Sequence, residues 1–411
     1  MMKPSRYICL HRDGERCSLW CLTSGAFVRI PEDEYLALSD GCLPSSDPAR
    51  LAKYASIGAL WEREEDEAEA YLRRAAEREE LASPIFRVLV TTACNARCPY
   101  CYEKGIPVRT MGSATALHTA DTIERAVARS GNSVRIEWFG GEPLLNVPAI
   151  SCISDRLGER GVRFRSELYT NGLLLHPALA ETAAELWRLQ SAQITLDGCA
   201  EEHERIKGLP AGSFAGILDG IGCLLDVGVR VRVRINYGGD RESTLRLGET
   251  LAARFGGRSG FQAYLNALYS SGKETDRGDM LALLSVQEEL ASFGLLHPRR
   301  YDFPARYSRC YACGGSSATV APDGGLFSCS HLTDEAHRIG TVSDGAEVPL
   351  RPDEFKTGGL SEECRLCRFL PICFGGCRAG ELGIAEMKHC FPYKSVMDRL
   401  SALKMPTAYE L

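Results

Sequence analysis

Three cysteines fall close together in one loop, Cys94, Cys98 and Cys101, in the run Ala93-Cys94-Asn95-Ala96-Arg97-Cys98-Pro99-Tyr100-Cys101. Thiolates are soft ligands for iron and zinc. A cubane iron–sulfur cluster takes one thiolate per iron, four in all. Three thiols without a nearby fourth therefore leave one iron open, as a catalytic metal requires and a structural one avoids. The same spacing also suits a zinc knuckle or a redox thiol group. A second group, Cys310, Cys313, Cys329, Cys364, Cys367, Cys373, Cys377 and Cys390, is enough for two full sets of four, whether iron–sulfur clusters or structural zinc.

The elements around these residues are legible as periodicity. From residue 85 apolar β-rich runs recur at 85–91, 134–139, 164–169, 192–196, 229–235 and 260–266. Helical patterns lie between and after them, near 114–129, 147–160, 177–190, 213–227, 243–255 and 285–294. Alternation of this kind predicts an α/β fold with parallel βαβ units, open or curled into a partial barrel. Ligands of such sheets lie beyond the carboxyl ends of the strands. The cysteine trio follows the first strand. Gly140-Gly141-Glu142-Pro143 follows the second, Thr170-Asn171-Gly172 the third and Thr195-Leu196-Asp197-Gly198 the fourth. All four segments thus fall on one rim. The two glycines let carbonyls approach a ligand closely, and these with Glu142 can accept bonds from an ammonium group.

Residues 1–45 alternate short apolar runs with turns, predicting a small antiparallel meander, and residues 62–80 read as a solvated helix. Beyond residue 300 the pattern breaks into loops, Gly and Cys, so metal would have to staple that part. With 411 residues, 45% of them hydrophobic, the chain can bury two or three cores. A net charge of −6 without basic runs gives no reason to expect nucleic acid, and no apolar stretch is long enough to span a membrane. Eighteen cysteines without an apolar signal core read as metal or redox ligands in a cytoplasmic protein. Cys9, Cys17, Cys21 and Cys42 are either a further metal site or buried core thiols.

The C-x3-C-x2-C spacing with Tyr100 before the last cysteine resembles the radical S-adenosylmethionine (SAM) superfamily. The resemblance implies a [4Fe–4S] cluster on Cys94, Cys98 and Cys101 whose open iron takes the methionine end of SAM. Reductive cleavage of SAM then gives a 5′-deoxyadenosyl radical that abstracts hydrogen from unactivated carbon. It also implies a SAM pocket lined by Tyr100, Gly140, Gly141, Glu142, Thr170, Asn171, Thr195 and Asp197. The family's His-Asp-x-x-Arg-Gly string appears here as His203-Glu204-Arg205-Ile206-Lys207-Gly208, so Lys207 stands where a planar guanidinium is usual.

The C-terminal cysteines resemble the SPASM domain of peptide-modifying members of that superfamily. Its crossed ligation implies one auxiliary [4Fe–4S] cluster on Cys310, Cys313, Cys329 and Cys377 and a second on Cys364, Cys367, Cys373 and Cys390, three clusters in all. The expected division is therefore 1–82, a meander plus helix able to dock a leader peptide or cap the barrel; 83–298, a partial (β/α)6 TIM-like barrel; and 299–411, a loop-rich cluster domain. The expected activity is peptide maturation, forming a thioether or C–C crosslink in a ribosomally made precursor peptide, with an outside donor such as flavodoxin or ferredoxin. The rivals are an anaerobic sulfatase-maturating enzyme, which converts Cys or Ser to formylglycine, and a non-catalytic iron–sulfur electron carrier or redox sensor. In the sulfatase group a catalytic Asp usually follows the cysteine corresponding to Cys329, whereas Ser330 and His331 follow it here. No residue is singled out as general base.

Overall fold

A computed structural model of the chain describes residues 2–62, 64–80, 82–131, 133–268, 277–297, 303–307, 310–313, 317–344, 360–381, 390–405 and 408–411. The N-terminal part opens with β1 (Lys3–Pro4), then β2 (Ile8–Asp13), β3 (Arg16–Cys21) and β4 (Phe27–Ile30). The last three are antiparallel neighbours, as the meander expectation has it. Two short helices, α1 (Glu32–Ser39) and α2 (Pro48–Ser56), then intervene before β5 (Leu60–Trp61) and α3 (Glu67–Glu80). Asp47 caps α2 through the Ala49 N–H, and Pro48 occupies its first turn.

Six parallel strands follow: β6 (Ile85–Thr91), β7 (Val134–Gly140), β8 (Phe164–Thr170), β9 (Leu189–Leu196), β10 (Arg230–Tyr237) and β11 (Phe261–Ala267). Each lies beside its sequence neighbour. The crossovers carry α4 (Ser113–Ser130), α5 (Val147–Glu159), α6 (Pro177–Glu185), α7 (Ala200–Lys207), α8 (Ser213–Asp226) and α9 (Arg241–Phe255), with α10 (Arg277–Ser292) after β11. This consecutive order is the expected (β/α)6 partial barrel. Two details depart from periodicity. Helix α6 stops at Glu185, and β9 begins at Leu189 inside the stretch that reads as helical. Helix α7, too polar to show an apolar stripe, is absent from the sequence expectation.

The strands have two distinct faces. On β10, Val231, Val233 and Ile235 are fully buried toward the helices, while Arg232, Arg234 and Asn236 point into the lumen. Each buried branched side chain contributes roughly 1.5–3 kcal/mol. The lumen itself is polar. The C-terminal third closes one side of it: β12 (Ala318–Val320) pairs parallel to β6, and β13 (Gly325–Phe327) and β14 (Gly340–Thr341) continue antiparallel, so one sheet of nine strands spans both regions. At the chain end β15 (Tyr409–Glu410) adds to β4. The expected three segments therefore share sheets across their boundaries.

The N-terminal cysteines do not converge. Cys17 and Cys21 lie in a small core with Leu19 and Tyr54. Cys9 points to the opposite face, into the main core with Trp20, and Cys42 is exposed. The alternation of strand side chains separates Cys9 from Cys17 and Cys21, which leaves these three as core thiols and, with Cys42 exposed, removes the metal reading.

Candidate active site at the carboxyl rim of the barrel

The cysteine loop leaves β6 through a register shift between Leu89 and Thr91. Such a bulge turns a strand end. The loop is then closed at its base. Thr92 N donates to Arg109 O at 2.9 Å, Met111 N to Val90 O at 2.9 Å, and the Asn146 amide to both Val90 O and Met111 O at 2.8 and 3.0 Å. Its middle rests on α7, where Arg97 N donates to Lys207 O at 2.7 Å.

The Gly-Gly-Glu turn sits against this loop. Gly141 N donates to Thr91 O at 3.0 Å and Glu142 N to Ala93 O at 2.8 Å. A Cβ on Gly141 would stand 2.7 Å from Thr92 O, and Gly140 has φ +133°, so both positions demand glycine. Glu142 is fully buried. Its Oε1 accepts from Thr170 Oγ1 at 2.7 Å and Leu144 N at 3.1 Å, and its Oε2 from Asn171 N at 2.8 Å. Burial raises its pKa, against the lowering effect of these donors and of Lys207. The carboxylate thus ties the ends of β7 and β8 together. Asn171 reaches on to the cysteine loop, its amide donating to Asn95 Oδ1 at 2.7 Å.

A second buried network holds the loop from the β9 and β10 side. Tyr100 Oη donates to Asp197 Oδ1 at 2.7 Å, and the Asn236 amide donates to the same oxygen at 2.8 Å. Lys207 Nζ lies 3.3 Å from Asp197 Oδ2, both side chains almost completely buried. Asp197 N donates to His203 Nδ1 at 3.1 Å. Burial, then the Lys207 charge, pushes the imidazole down to about 3, so it is neutral at pH 7. Thr195 stands half-buried on the lumen face, in register with Arg234.

Tyr100, Gly140, Gly141, Glu142, Thr170, Asn171 and Asp197 thus lie in or against the cysteine loop, while Thr195 stands deeper on the lumen face, level with Arg234. Lys207 and His203, to which the sequence reading assigns no role, join Asp197. Asn236, Asn95 and Asn146 were missed. Asn236 had a usable signal, since it is polar at the carboxyl end of the fifth strand and so falls under the same rim rule as its neighbours.

The thiols form three neighbourhoods. Burial raises the Cys94 thiol pKa, the Ala96 N–H opposes this, and Glu142, Cys98 and Cys101 raise it further. Desolvated thiols that repel one another suit a bound cationic cluster, which would hold all three as thiolates. Farther on, Cys329 is pushed up to about 11, chiefly by burial and also by Cys310 and Cys377, and Cys313 packs with Cys329 and Cys377. Cys373 is raised by burial and, through space, by Cys390 and Cys364. Cys310, Cys329, Cys373, Cys377 and Cys390 all line one cavity, and Cys367 is near Cys9 and Tyr7, so the division into two crossed sets stays a proposal. No three metal-binding side chains among the described residues converge tightly enough on one point to hold a single ion. Gly314 and Gly315 lie outside the described residues. The ring of Tyr102, beside Cys101, packs 4.1 Å from that of His331, beside Cys329, and so links the trio to the first C-terminal set.

Comparison with known proteins defines the class. Residues 88–251 match the radical SAM superfamily, and the chain carries a radical SAM domain. Members of that superfamily bind SAM and a [4Fe–4S] cluster, and the residues just described fit both. At the level of particular relatives, the chain is similar to the serine-type anaerobic sulfatase-maturating enzyme of Klebsiella aerogenes, 22% identical over 367 residues covering 80% of this chain and 89% of that one. The fold is similar to native anSMEcpe with bound AdoMet, with a TM-score of 0.60 at 17% identity over 79% of this chain and 98% of that one. It is also similar to Streptococcus suis SuiB bound to precursor peptide SuiA, with a TM-score of 0.55 at 15% identity over 96% of this chain and 99% of that one. No helix among the described residues is long and apolar enough to cross a membrane.

Proposed function

We propose that the protein is a peptide maturase that forms a thioether or C–C crosslink in a ribosomally made precursor peptide. The observation that carries this reading is how much of the chain the likeness covers. The similarity to the precursor-peptide complex runs over 96% of the chain, whereas that to the AdoMet-bound anSMEcpe covers 79%. In this reading residues 1–82 dock the peptide, 83–298 generate the radical and 299–411 hold two auxiliary clusters. Among the described residues β2 has no strand on its outer edge, which suits an added strand.

Cys94, Cys98 and Cys101 would hold the catalytic [4Fe–4S] cluster, and the rim from Gly140 to Asp197 would hold SAM. When bound, these groups supply a 5′-deoxyadenosyl radical able to take hydrogen from an unactivated carbon. The chain's own residues orient and enclose. Glu142 fixes the Gly140–Gly141 carbonyls through its three donors, and the Tyr100–Asp197–Lys207 network holds the loop against the barrel. Per crosslink the peptide gives up one hydrogen atom from carbon and, from the nucleophile, one proton and one electron. The C-terminal thiol sets, linked to the trio by Tyr102 and His331, are suited to take up that electron.

Anaerobic co-expression with a short peptide encoded beside the gene tests the reading. The expected product is lighter by a pair of hydrogens per crosslink. Unchanged mass with full cluster loading would count against it. Sulfatase maturation is the second reading, favoured by the Klebsiella relative. It predicts formylglycine on a sulfatase peptide, yet Ser330 and His331 replace the expected carboxylate beside Cys329.

A further inference from the structure

The lumen face of the barrel is basic, although the whole chain is acidic. Arg87 and Arg135 share Glu137, at 2.7 and 3.4 Å, and Arg232 takes Glu167 at 3.1 Å. Arg234 has no carboxylate partner among the described residues. Its one hydrogen bond there runs from Nε to Asn236 Oδ1 at 3.0 Å, leaving both terminal nitrogens of the guanidinium for a ligand. The side chain is half-buried between Thr195 on β9 and Tyr264 on β11. Tyr264 is oriented in turn by donating to Gln193 at 2.7 Å.

The position matters as much as the charge. Asn236, the next lumen-facing residue toward the rim, bonds Asp197 and Tyr100. Arg234 therefore lies one pleat, about 7 Å, below the pocket floor. A cation held in a concave face with low-dielectric walls attracts an anion more strongly than one in open water. A guanidinium also matches a carboxylate with two parallel bonds.

We propose that Arg234 is a carboxylate-binding site that selects a peptide segment bearing an acidic group next to the carbon attacked. The proposal rests on the peptide-substrate reading above. The carboxylate comes either from an Asp or Glu side chain or from a chain terminus.

The test uses the reconstituted holoenzyme with SAM and three probes followed by ligand-observed NMR titration. These are N-acetyl-glutamate α-amide, N-acetyl-glutamine with a free α-carboxylate, and the neutral N-acetyl-glutamine α-amide. The expected result is that one carboxylate probe binds about tenfold more tightly than the neutral one. The tighter of the two identifies the source of the carboxylate. In Arg234→Gln the preference disappears, and in Arg234→Lys it weakens, because the fork is lost while the charge stays. Iron content and thermal midpoint equal to wild type show that the variants are folded, and an R165Q control retains the preference. Equal binding of all three probes, a preference that survives Arg234→Gln, or loss of carboxylate binding whenever SAM is present would each overturn the proposal. The last outcome would give Arg234 to the cofactor's own carboxylate. A probe preference together with an unchanged mass of the co-expressed peptide would instead sink the crosslinking reading and leave this site standing.

Discussion

Tyr100 and Asp197, 97 residues apart in sequence, meet through a 2.7 Å hydrogen bond that fastens the cysteine loop to the carboxyl end of β9. Tyr100→Phe keeps the ring and removes the bond. It is expected to lower stability by about 1 kcal/mol. Asp197→Ala is expected to cost about 3–5 kcal/mol, because Lys207 is left as a buried unpaired cation. Urea denaturation of the reduced apoprotein checks both, and the second variant should also incorporate less iron at the trio.

The neutral state of His203 has a pH consequence. Its folded pKa of about 3 lies below the ordinary value of 6.5. The unfolded chain therefore binds a proton that the folded chain refuses, so stability is full above pH 6.5 and is lost as pH falls toward 3. Wild type should lose up to about 1.4 kcal/mol per pH unit, relative to His203→Gln, between pH 6 and pH 4. Parallel denaturation curves for the two proteins across that range would refute the buried neutral imidazole.

Gly141→Ala presses a methyl group against the Thr92 and Ala93 carbonyls. Backbone cannot yield as a flexible side chain can, so the cysteine loop must shift, at a cost of about 1–3 kcal/mol. The expected result is weakened SAM binding, read as loss of the SAM-induced change in the electron paramagnetic resonance of the reduced cluster. An unchanged spectrum would mean that the turn does not shape the pocket.

The grouping of the C-terminal thiols predicts non-additive iron loss. Cys310→Ala and Cys377→Ala belong to one neighbourhood, so each alone and both together should lower iron from about twelve to about eight per chain. Cys310→Ala with Cys373→Ala touches both neighbourhoods and should leave about four. Iron and sulfide assays after anaerobic reconstitution decide the matter; additive loss from the first pair would break the assignment.

Much of this protein was written locally. The six strands and most of their helices follow from apolar periodicity, and the cysteine trio, the Gly140–Gly141–Glu142 turn and the Thr170–Asn171 segment fall on one rim because parallel βα units place every strand end on the same side. Helix α7 escaped because its residues are charged, and the start of β9 because Leu189 sits in a run equally suited to helix. Pairings between distant residues could not be read in advance. Tyr100 with Asp197, Tyr102 with His331, and Arg234 without a carboxylate among the described residues depend on which strands lie side by side and which face each residue takes. The same holds for the N-terminal cysteines, whose spacing left a metal site and core thiols both open until the pleat of β2 and β3 put Cys9 on the opposite face from Cys17 and Cys21. Spacing along the chain determined the ligand types and the rim; only the folded sheet decided which side chains share a buried charge, since electrostatic coupling acts through distance in space and not along the sequence.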